Sequence, residues 1–356
     1  MDYTQINNIP MFFIVGRARS GTTLLQTLLD AHPSIVIPSE SCILLHLKNK
    51  YFTCANWDNK TIDTFIEDLL TEKKLRQSWK VDYIKLKNEI LEIPQLQRNY
   101  TLICKILYLN YLSIFNQQNI SLIGDKNPIY GAFIGDMLEL FPQAKFIHIV
   151  RDYRANICSN RDVFSLKNIA SLAHAWTFHN RKIEIAKTKI PHQFYTLKYE
   201  ELALDPKTEM KKVFDFLNVG YNDSVFDFYK ELNEKAEPKA RNRFKKVHGN
   251  LLNPINVNRV EVWKDSLAEQ DIALSEFICE LDGMKYGYQS TIVKKANLHL
   301  YLKSTYGYML HILILLIIKL FYYSPFFLKQ LYSFISRKIN KWRRKSNYFN
   351  QTDHTN

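Results

Sequence analysis

Residues 11–29 have the sequence MFFIVGRARSGTTLLQTLL, and this stretch decides the fold. Its first part, Met11 to Val15, is an apolar run of strand length, and from Thr22 onward the leucines follow the spacing of one helix face. The loop between them, 16–21, has a glycine at each end, so its backbone can turn tightly. In a strand–loop–helix unit of this kind, the loop N–H groups and the helix N-terminus point toward an anion. The stretch therefore predicts a phosphate-binding loop.

The loop departs from the pattern that binds ATP or GTP. Its spacing from Gly16 to Gly21 fits G-x-x-x-x-G, but Thr22 stands where that pattern has a lysine. A nucleoside triphosphate site needs the lysine on its β- and γ-phosphates, and usually a carboxylate that holds magnesium. The cations of this loop come earlier, at Arg17 and Arg19. The sequence favours an anionic group held by arginine and hydroxyls without a metal ion, and the alternative is a βα turn that binds no anion.

Residues 19–23, RSGTT, resemble the loop with which sulfotransferases bind the 5′-phosphosulfate of 3′-phosphoadenylyl sulfate (PAPS). The segment LDAHP at 29–33 is similar to the tyrosylprotein branch of that family and to related bacterial members. The resemblance implies PAPS as the co-substrate, with no metal ion. It also implies a three-layer α/β fold with a central parallel sheet, related to the P-loop kinases. The loop residues that it assigns to PAPS binding are Arg19, Ser20, Gly21, Thr22 and Thr23.

Two charged residues directly follow predicted strands. Glu40 comes after the strand 34–38, and Lys126 comes after the strand 120–123. Functional groups gather at the carboxyl ends of strands in an open parallel sheet, so both side chains are expected beside the phosphate loop. Glu40 is either a general base or a helix N-terminal carboxylate, and Lys126 either stabilises the leaving oxygen or is a surface-loop lysine. The resemblance favours the catalytic roles, because the tyrosylprotein branch has its catalytic base at the position of Glu40.

A second phosphate element is predicted around Arg151. This residue ends the apolar strand 144–150, and Ser159 lies two turns into the helix that follows. Residues eight apart lie on roughly the same helix face, so both side chains could bind one phosphate. The arrangement resembles the 3′-phosphate site of the sulfotransferases. Two separate phosphate elements are what a 3′,5′-bisphosphate nucleotide needs and an ordinary nucleoside triphosphate does not.

Later motifs add weaker candidates. Tyr199, in a YEEL segment that resembles a family element, either contacts the nucleotide or packs. The segment 253–264 resembles one that folds back over the nucleotide in the tyrosylprotein branch, which makes Lys264 a candidate phosphate ligand. The charged stretch 72–76 is interpreted as a solvated helix face. Further candidates for closing the nucleotide site are Arg241, Arg243, Lys245, Lys246 and His248.

The C-terminal part of the chain has a different composition. Residues 306–328, YGYMLHILILLIIKLFYYSPFFL, approach the roughly 20 apolar residues that a membrane span needs, although a histidine, a lysine and a proline interrupt them. Three interpretations remain open: a helix lying in a membrane surface, a single span, and a helix docked on the enzyme or a partner. We therefore predict a sulfotransferase domain at 1–290 and a helical tail at 291–356 that associates with a membrane.

The net charge of +13 is concentrated in this tail. A basic segment without any acid suits anionic lipid headgroups, and no nucleic-acid-binding motif accompanies the charge, so nucleic acid is not a predicted partner. Because residues 1–10 are short and polar, no signal peptide is expected, and we expect the enzyme in the cytoplasm at the inner face of a membrane. The seven basic residues of the segment are Lys329, Arg337, Lys338, Lys341, Arg343, Arg344 and Lys345.

The predicted reaction is transfer of a sulfonate group from PAPS to an acceptor hydroxyl. Glu40 would remove the acceptor proton, while Lys126 and Arg19 would stabilise charge as the bond to the 5′-phosphate breaks. The tyrosylprotein branch has an arginine where this chain has Cys42, which disfavours a peptide tyrosine as the acceptor. A carbohydrate or lipid headgroup is favoured, since the tail indicates a membrane-proximal substrate. The alternatives are a P-loop small-molecule kinase and a membrane-tethered nucleotide-binding protein without catalysis.

Overall fold

The computed structural model of this chain describes residues 2–163, 168–235, 249–292 and 298–335. A sheet of five strands lies at its centre, and every neighbouring pair of strands is parallel. The strand order is β2-β3-β1-β4-β5. The strands are β1 Met11–Val15, β2 Ile35–Val36, β3 Leu122–Lys126, β4 Lys145–Val150 and β5 Phe194–Lys198.

Helices connect and cover these strands. They are α1 Tyr3–Asn8, α2 Thr22–Asp30, α3 Ile43–Tyr51, α4 Asn59–Leu69, α5 Lys73–Ser78, α6 Tyr83–Glu92, α7 Tyr100–Leu109, α8 Ile134–Leu140, α9 Tyr153–Val163, α10 Ile169–Lys189, α11 Tyr199–Leu204, α12 Pro206–Leu217, α13 Phe228–Lys235, α14 Trp263–Ser266, α15 Glu269–Gly283 and α16 Leu298–Tyr323. A last helical stretch covers 326–335.

Alternate residues of β1 face opposite sides of the sheet, as the pleat of a strand requires. Phe12 and Ile14 pack in one core with apolar residues of α2, α12 and α13. Phe13 and Val15 pack in a second core with residues of α3, α4, α6 and α7. The buried strands therefore have a layer of helices on each side. The predicted three-layer α/β fold with a central parallel sheet is confirmed.

The strand register places several chain segments at one edge of the sheet. Ile14 of β1 pairs with Lys126 of β3, and Val150 of β4 pairs with Lys198 of β5. Because all strands point the same way, the residues that directly follow them meet at the carboxyl edge, where open α/β sheets bind their ligands. The loop after β1 and the residues after β3, β4 and β5 meet here.

The C-terminal helix α16 packs along α10. At Gly307 the two helices approach so closely that a Cβ atom would lie 2.3 Å from the Cβ of Ala170. His311 is buried, with its ring centroid 5.4 Å from that of Phe178. The sequence left three interpretations of this segment open. The face of α16 that carries Gly307 and His311 fits the third of them, a helix docked on the rest of the chain. By length and composition alone, α16 would also be able to cross a membrane.

The other face of α16 is exposed and apolar. It includes Leu313, Leu316 and Leu320, each more than half exposed. Of the basic residues predicted to face a membrane, Lys329 lies in the described part of the chain. It is buried and donates a hydrogen bond to the backbone oxygen of His46, so the outward role predicted for Lys329 is wrong. The other six basic residues lie outside the described residues. The domain division at 290 stays a prediction.

Candidate active site

The phosphate loop has the backbone shape of an anion-binding concavity. Arg19 has φ 71° and Gly21 has φ 95°, so the chain passes twice through left-handed geometry. Such turns point successive N–H groups toward one point. The two end glycines are required by space as well, because a Cβ atom would lie 2.3 Å from the Ile149 oxygen at Gly16 and 2.5 Å from the Tyr199 ring at Gly21.

The two predicted phosphate elements are in direct contact. The Nε of Arg19 donates a hydrogen bond to the hydroxyl of Ser159 at 3.1 Å. A guanidinium N–H of Arg151 donates to the backbone oxygen of Arg19 at 3.1 Å. The loop after β1 and the face of α9 that carries Ser159 therefore form one continuous surface.

Two asparagines, which the sequence analysis did not single out, fix the loop against α9. The amide of Asn156 donates to the backbone oxygen of Ala18 and to the hydroxyl of Ser20, both at 2.9 Å. The amide of Asn160 donates to the same Ala18 oxygen at 3.0 Å. Their spacing of four residues on the helix of Ser159 is the signal that could have identified them.

Arg151 is buried against Tyr199. Its guanidinium carbon lies 4.4 Å from the ring centroid, a stacking contact, so the structure places Tyr199 as a packing partner of both Arg151 and Gly21. Within the described residues, the Nε of Arg151 is buried and has no hydrogen-bond partner. A buried donor without a partner is costly, and a phosphate oxygen would satisfy it. The residues therefore fit a bound phosphate at this position.

A third arginine completes a cluster of cations. Arg151 donates a second hydrogen bond to the backbone oxygen of Arg259. Burial lowers the pKa of Arg19, and the nearby charges of Arg151 and Arg259 lower it as well. Three guanidinium groups that repel one another are stabilised when an anion binds among them.

Arg259 comes from the segment 253–264, for which Lys264 was the sequence candidate. Lys264 forms an ion pair with Glu261 at 2.6 Å, and its side chain is half exposed. Its role as a phosphate ligand stays a prediction. The sequence signal that could have identified Arg259 is its position, four residues before Trp263. The ring of Trp263 stacks on Arg154, whose guanidinium carbon lies 4.0 Å from the ring centroid. The candidates Arg241, Arg243, Lys245, Lys246 and His248 lie outside the described residues.

Arg17, the earlier cation of the loop, lies near a different group of residues. Burial lowers the pKa of His179 to about 3 and that of His311 to about 4, and the charge of Arg17 contributes to both shifts. Burial also lowers the pKa of Arg17 itself to about 10. Arg17 therefore lies close to α10 and α16.

Glu40, Lys126 and the loop converge as expected from the strand ends. The ammonium of the buried Lys126 lies 3.5 Å from a carboxylate oxygen of Glu40 and 3.5 Å from the hydroxyl of Thr23. Lys126 therefore joins the phosphate loop to the carboxylate. Glu40 remains about one-third exposed, so a further molecule can reach it.

Lys74 is a member of the site that the sequence analysis missed. Its ammonium forms an ion pair with the second carboxylate oxygen of Glu40. The neighbouring Glu72 accepts a hydrogen bond from the hydroxyl of Ser41 at 3.0 Å. The interpretation of 72–76 as a solvated helix face agrees with the half-exposed side chain of Lys74, but it does not include the contacts of Glu72 and Lys74 with the turn that carries Glu40. No local pattern signals this contact.

The charges around Glu40 decide its protonation. Burial alone would raise the pKa of Glu40, but the charges of Lys126 and Lys74 outweigh it and lower the pKa below its ordinary value. For Lys126, burial lowers the pKa, and the carboxylate of Glu40 opposes that shift. The two groups stabilise each other in their charged forms, and Glu40 stays ionised into the acid range.

We expect Lys74→Met to move the acid limb of the kcat/KM profile to higher pH. Removing one of the two cations raises the pKa of Glu40, so the carboxylate takes up a proton earlier as the pH falls. The measurement is kcat/KM from acid to neutral pH, with Lys73→Met on the same helix as the control. An unshifted acid limb would show that the rate does not depend on the ionisation of Glu40.

Among the described residues, no three His, Cys, Asp or Glu side chains are grouped so that they could hold a metal ion.

A parallel α/β fold with a glycine-bounded loop joined to α9 and a carboxylate–lysine pair at the strand ends is an arrangement that fits a phosphorylated ligand at the carboxyl edge of the sheet. The profile of the Sulfotransferase family matches residues 10–223, more than half of the chain. The chain belongs to this family.

Curated relatives include protein-tyrosine sulfotransferases from animals. Protein-tyrosine sulfotransferase 1 of Danio rerio is 24% identical over 265 residues, which cover 72% of this chain and 66% of the relative. The protein-tyrosine sulfotransferase of Drosophila melanogaster is 24% identical over 275 residues, which cover 73% of this chain and 48% of the relative. The chain therefore spans between about half and two thirds of these relatives.

Among solved structures, the sulfotransferase domain of the Synechococcus PCC 7002 olefin synthase is 21% identical, with a TM-score of 0.49. The alignment covers 75% of this chain and 94% of that domain.

Proposed function

We propose that this chain is a PAPS-dependent sulfotransferase that moves a sulfonate group to an acceptor hydroxyl. The observation that carries the proposal is the contact between Arg19 and Ser159, which joins two anion-binding elements. The loop of Arg19 also contacts the Glu40–Lys126 pair, through Thr23. A nucleotide with phosphate at both the 5′ and 3′ positions uses both elements at once. A nucleoside triphosphate would leave the second element unused, and Thr22 replaces the lysine that its β- and γ-phosphates require.

The binding roles follow from the donors on each element. The loop N–H groups, Arg19 and the hydroxyls of Thr22 and Thr23 would hold the 5′-phosphosulfate. Arg151 and Ser159 would hold the 3′-phosphate, with the buried Nε of Arg151 as a donor that the phosphate satisfies. PAPS itself supplies the activated sulfonate group.

The chemical roles follow from the positions of the charges. Glu40, ionised and partly exposed, takes the proton of the acceptor hydroxyl as its oxygen bonds to sulfur. The bond between sulfur and the 5′-phosphate oxygen breaks, and 3′-phosphoadenosine 5′-phosphate (PAP) leaves. Lys126 and Arg19 stabilise the negative charge that develops on that phosphate oxygen. Because Lys126 contacts both Thr23 and Glu40, one ammonium orders the donor and acceptor sides.

The acceptor we propose is a hydroxyl on a carbohydrate or lipid headgroup at a membrane surface. The support is the exposed apolar face of α16, a helix whose end at Tyr323 accepts a hydrogen bond from Asn49 of α3, the helix that begins three residues after Glu40. A second candidate is a tyrosine hydroxyl on a protein, because the curated relatives are protein-tyrosine sulfotransferases. Both acceptors use the same base and the same leaving group.

Transfer of radiolabelled sulfonate from PAPS tests this proposal. The acceptors are a tyrosine-containing peptide, a monosaccharide and glycolipid vesicles, each with EDTA and with magnesium. We expect label on one of these acceptors and equal rates with and without magnesium, because cationic side chains supply the charge stabilisation. No label on any of the acceptors would contradict the proposal, and transfer of phosphate from labelled ATP with magnesium in a parallel assay would support a kinase.

We also propose that α16 lies on the inner surface of a membrane. Its inward face is already packed on α10, so its exposed leucines are the part available to lipid. Burying half or more of a leucine side chain contributes roughly 1 kcal/mol. The basic residues at 337–345 would add attraction to anionic headgroups, a contribution that salt weakens.

Leu320→Ser should weaken association with vesicles of phosphatidylcholine and phosphatidylglycerol by about fivefold, since roughly 1 kcal/mol of apolar burial is lost. The matched control is Leu204→Ser on α11, because Leu204 is 69% and Leu320 is 71% exposed. Co-sedimentation with the vesicles measures both. Equal binding by the two variants would contradict a membrane role for this face.

A further inference from the structure

Two separate segments surround Glu40, and the end of the described chain contacts both. Helix α3 begins at Ile43, directly after Cys42, its N-terminal cap. The turn 70–72 joins α4 to α5, the helix that carries Lys74. The stretch 321–333 lies against α3 and against this turn, and we call it the C-terminal brace.

The brace is held on α3 by polar contacts. The ammonium of Lys329, which is 1% exposed, donates to the backbone oxygen of His46 at 3.1 Å. The amide of Asn49 donates to the backbone oxygen of Tyr323 at 3.3 Å. Because an ammonium is costly to bury unless it is hydrogen-bonded, the Lys329 contact fixes the brace at one position along α3.

The brace also holds the segment before α5. The amide of Gln330 donates to the carboxylate of Asp68 at 2.9 Å, and the hydroxyl of Ser333 donates to the backbone oxygen of Thr71 at 3.1 Å. Lys74 follows a few residues later and forms its ion pair with Glu40. The brace therefore contacts α3, which follows the turn of Glu40, and the turn that precedes Lys74.

Tyr322 brings the brace to the centre of the site. Its backbone oxygen accepts a hydrogen bond from the amide of Asn49 on α3 at 3.5 Å, and its ring centroid lies 5.6 Å from that of Phe133. Its phenol interacts electrostatically with the thiol of Cys42, two residues after Glu40. The same thiol accepts a hydrogen bond from the amide of Asn127 at 2.8 Å, and Asn127 directly follows Lys126. One phenol thus lies at the junction of the turn that carries the carboxylate and the strand end that carries the lysine.

We propose that the C-terminal brace is a positioning element of the reaction centre, which fixes Glu40 relative to Lys126 through Tyr322 and Lys329 and so sets the rate of transfer. The inference rests on the proposed function, in which Glu40 takes the acceptor proton. A displacement of about 1 Å between reacting groups costs about 100-fold in rate, so a smaller displacement still has a measurable effect. The brace acts through α3 and the Cys42 thiol.

Tyr322→Phe and Lys329→Met test the inference in the full-length chain. Each should lower kcat by about tenfold, measured as PAP formation from PAPS with 4-nitrophenol as the acceptor. The affinity for PAP and the number of PAP-binding sites should stay those of the wild type, because the nucleotide contacts come from the loop and α9. The matched controls are Tyr306→Phe and Lys303→Met, which remove the same groups from exposed positions of α16 and should leave kcat unchanged.

Hydrogen–deuterium exchange distinguishes positioning from a general loss of fold. In both brace variants, exchange of the amides at 40–47 should rise, while exchange in β1 and β4 stays that of the wild type. A kcat per PAP-binding site equal to that of the controls would overturn the inference, and so would faster exchange throughout the sheet. A wild-type chain that binds PAP but forms none from PAPS, either with 4-nitrophenol or with the peptide, monosaccharide and glycolipid acceptors above, would contradict the proposed function, and the inference with it.

Discussion

Glu40→Gln is expected to lower turnover by about 10²–10⁴-fold, the usual contribution of a positioned general base, and to leave the affinity for PAP unchanged. The substitution keeps the size of the side chain and its ability to accept a hydrogen bond, but it removes the charge that takes the acceptor proton. Glu40 lies on the acceptor side of Lys126, while the nucleotide contacts lie on the loop and α9. The base can therefore be removed without disturbing those contacts.

The control for this experiment must separate lost chemistry from lost stability. Lys126 is buried, and the carboxylate of Glu40 helps to keep it charged, so the variant leaves a buried ammonium with one partner fewer. Thermal unfolding and calorimetric binding of PAP report whether the site survives. Glu67→Gln, at an exposed position of α4, is the matched substitution. Near-normal turnover in Glu40→Gln would make Glu40 a structural partner of Lys126 and Lys74, and the base would be another group.

Much of the candidate site could be predicted because it follows strand ends. The loop 16–23, Glu40, Lys126 and Arg151 are far apart along the chain, yet each comes directly or shortly after an apolar run. In a parallel sheet those runs end at the same edge, so residues that are far apart in the sequence can be predicted to meet there once the strands are recognised. The position of Ser159 could also be predicted from the sequence, because the helix period places it on the face below Arg151. Their meeting therefore follows from secondary structure alone.

The residues that were missed depend on which surfaces pack together. Lys74 lies in a run with the charge pattern of a solvated face, and Tyr322 lies in a run that resembles a membrane segment. Periodicity assigns a residue to a face of its own helix, but it does not say which neighbour covers that face. Both side chains reach the turn of Glu40 only through tertiary contacts that join distant parts of the chain. Arg259 was missed for the same reason, because it reaches Arg151 through a contact between distant parts of the chain.

Arg151→Ala is expected to weaken binding of PAP by about 10- to 150-fold and binding of AMP much less. A charge-assisted contact to phosphate contributes about 1.5–3 kcal/mol, and AMP lacks the 3′-phosphate that would receive it. Burial should place the effect toward the upper part of this range, because Arg151 is 6% exposed and its Nε has no hydrogen-bond partner within the described residues. Calorimetry with PAP and AMP, both in EDTA, measures the difference.

Arg151 also holds the loop, and the experiment has to separate that role from phosphate binding. Its guanidinium donates to the backbone oxygens of Arg19 and Arg259, so its loss could loosen the 5′-phosphate site as well. In that case PAP and AMP would lose affinity by the same factor, and the assignment of Arg151 to the 3′-phosphate would be wrong. Ser159→Ala gives a second measure, because it removes a hydroxyl of the same element without touching the Arg151 contacts. It also removes the hydrogen-bond acceptor of Arg19, so it is read by the same comparison of PAP with AMP. Arg181→Ala, whose side chain pairs with Asp282 away from the loop, controls for the loss of one positive charge and should leave both affinities unchanged.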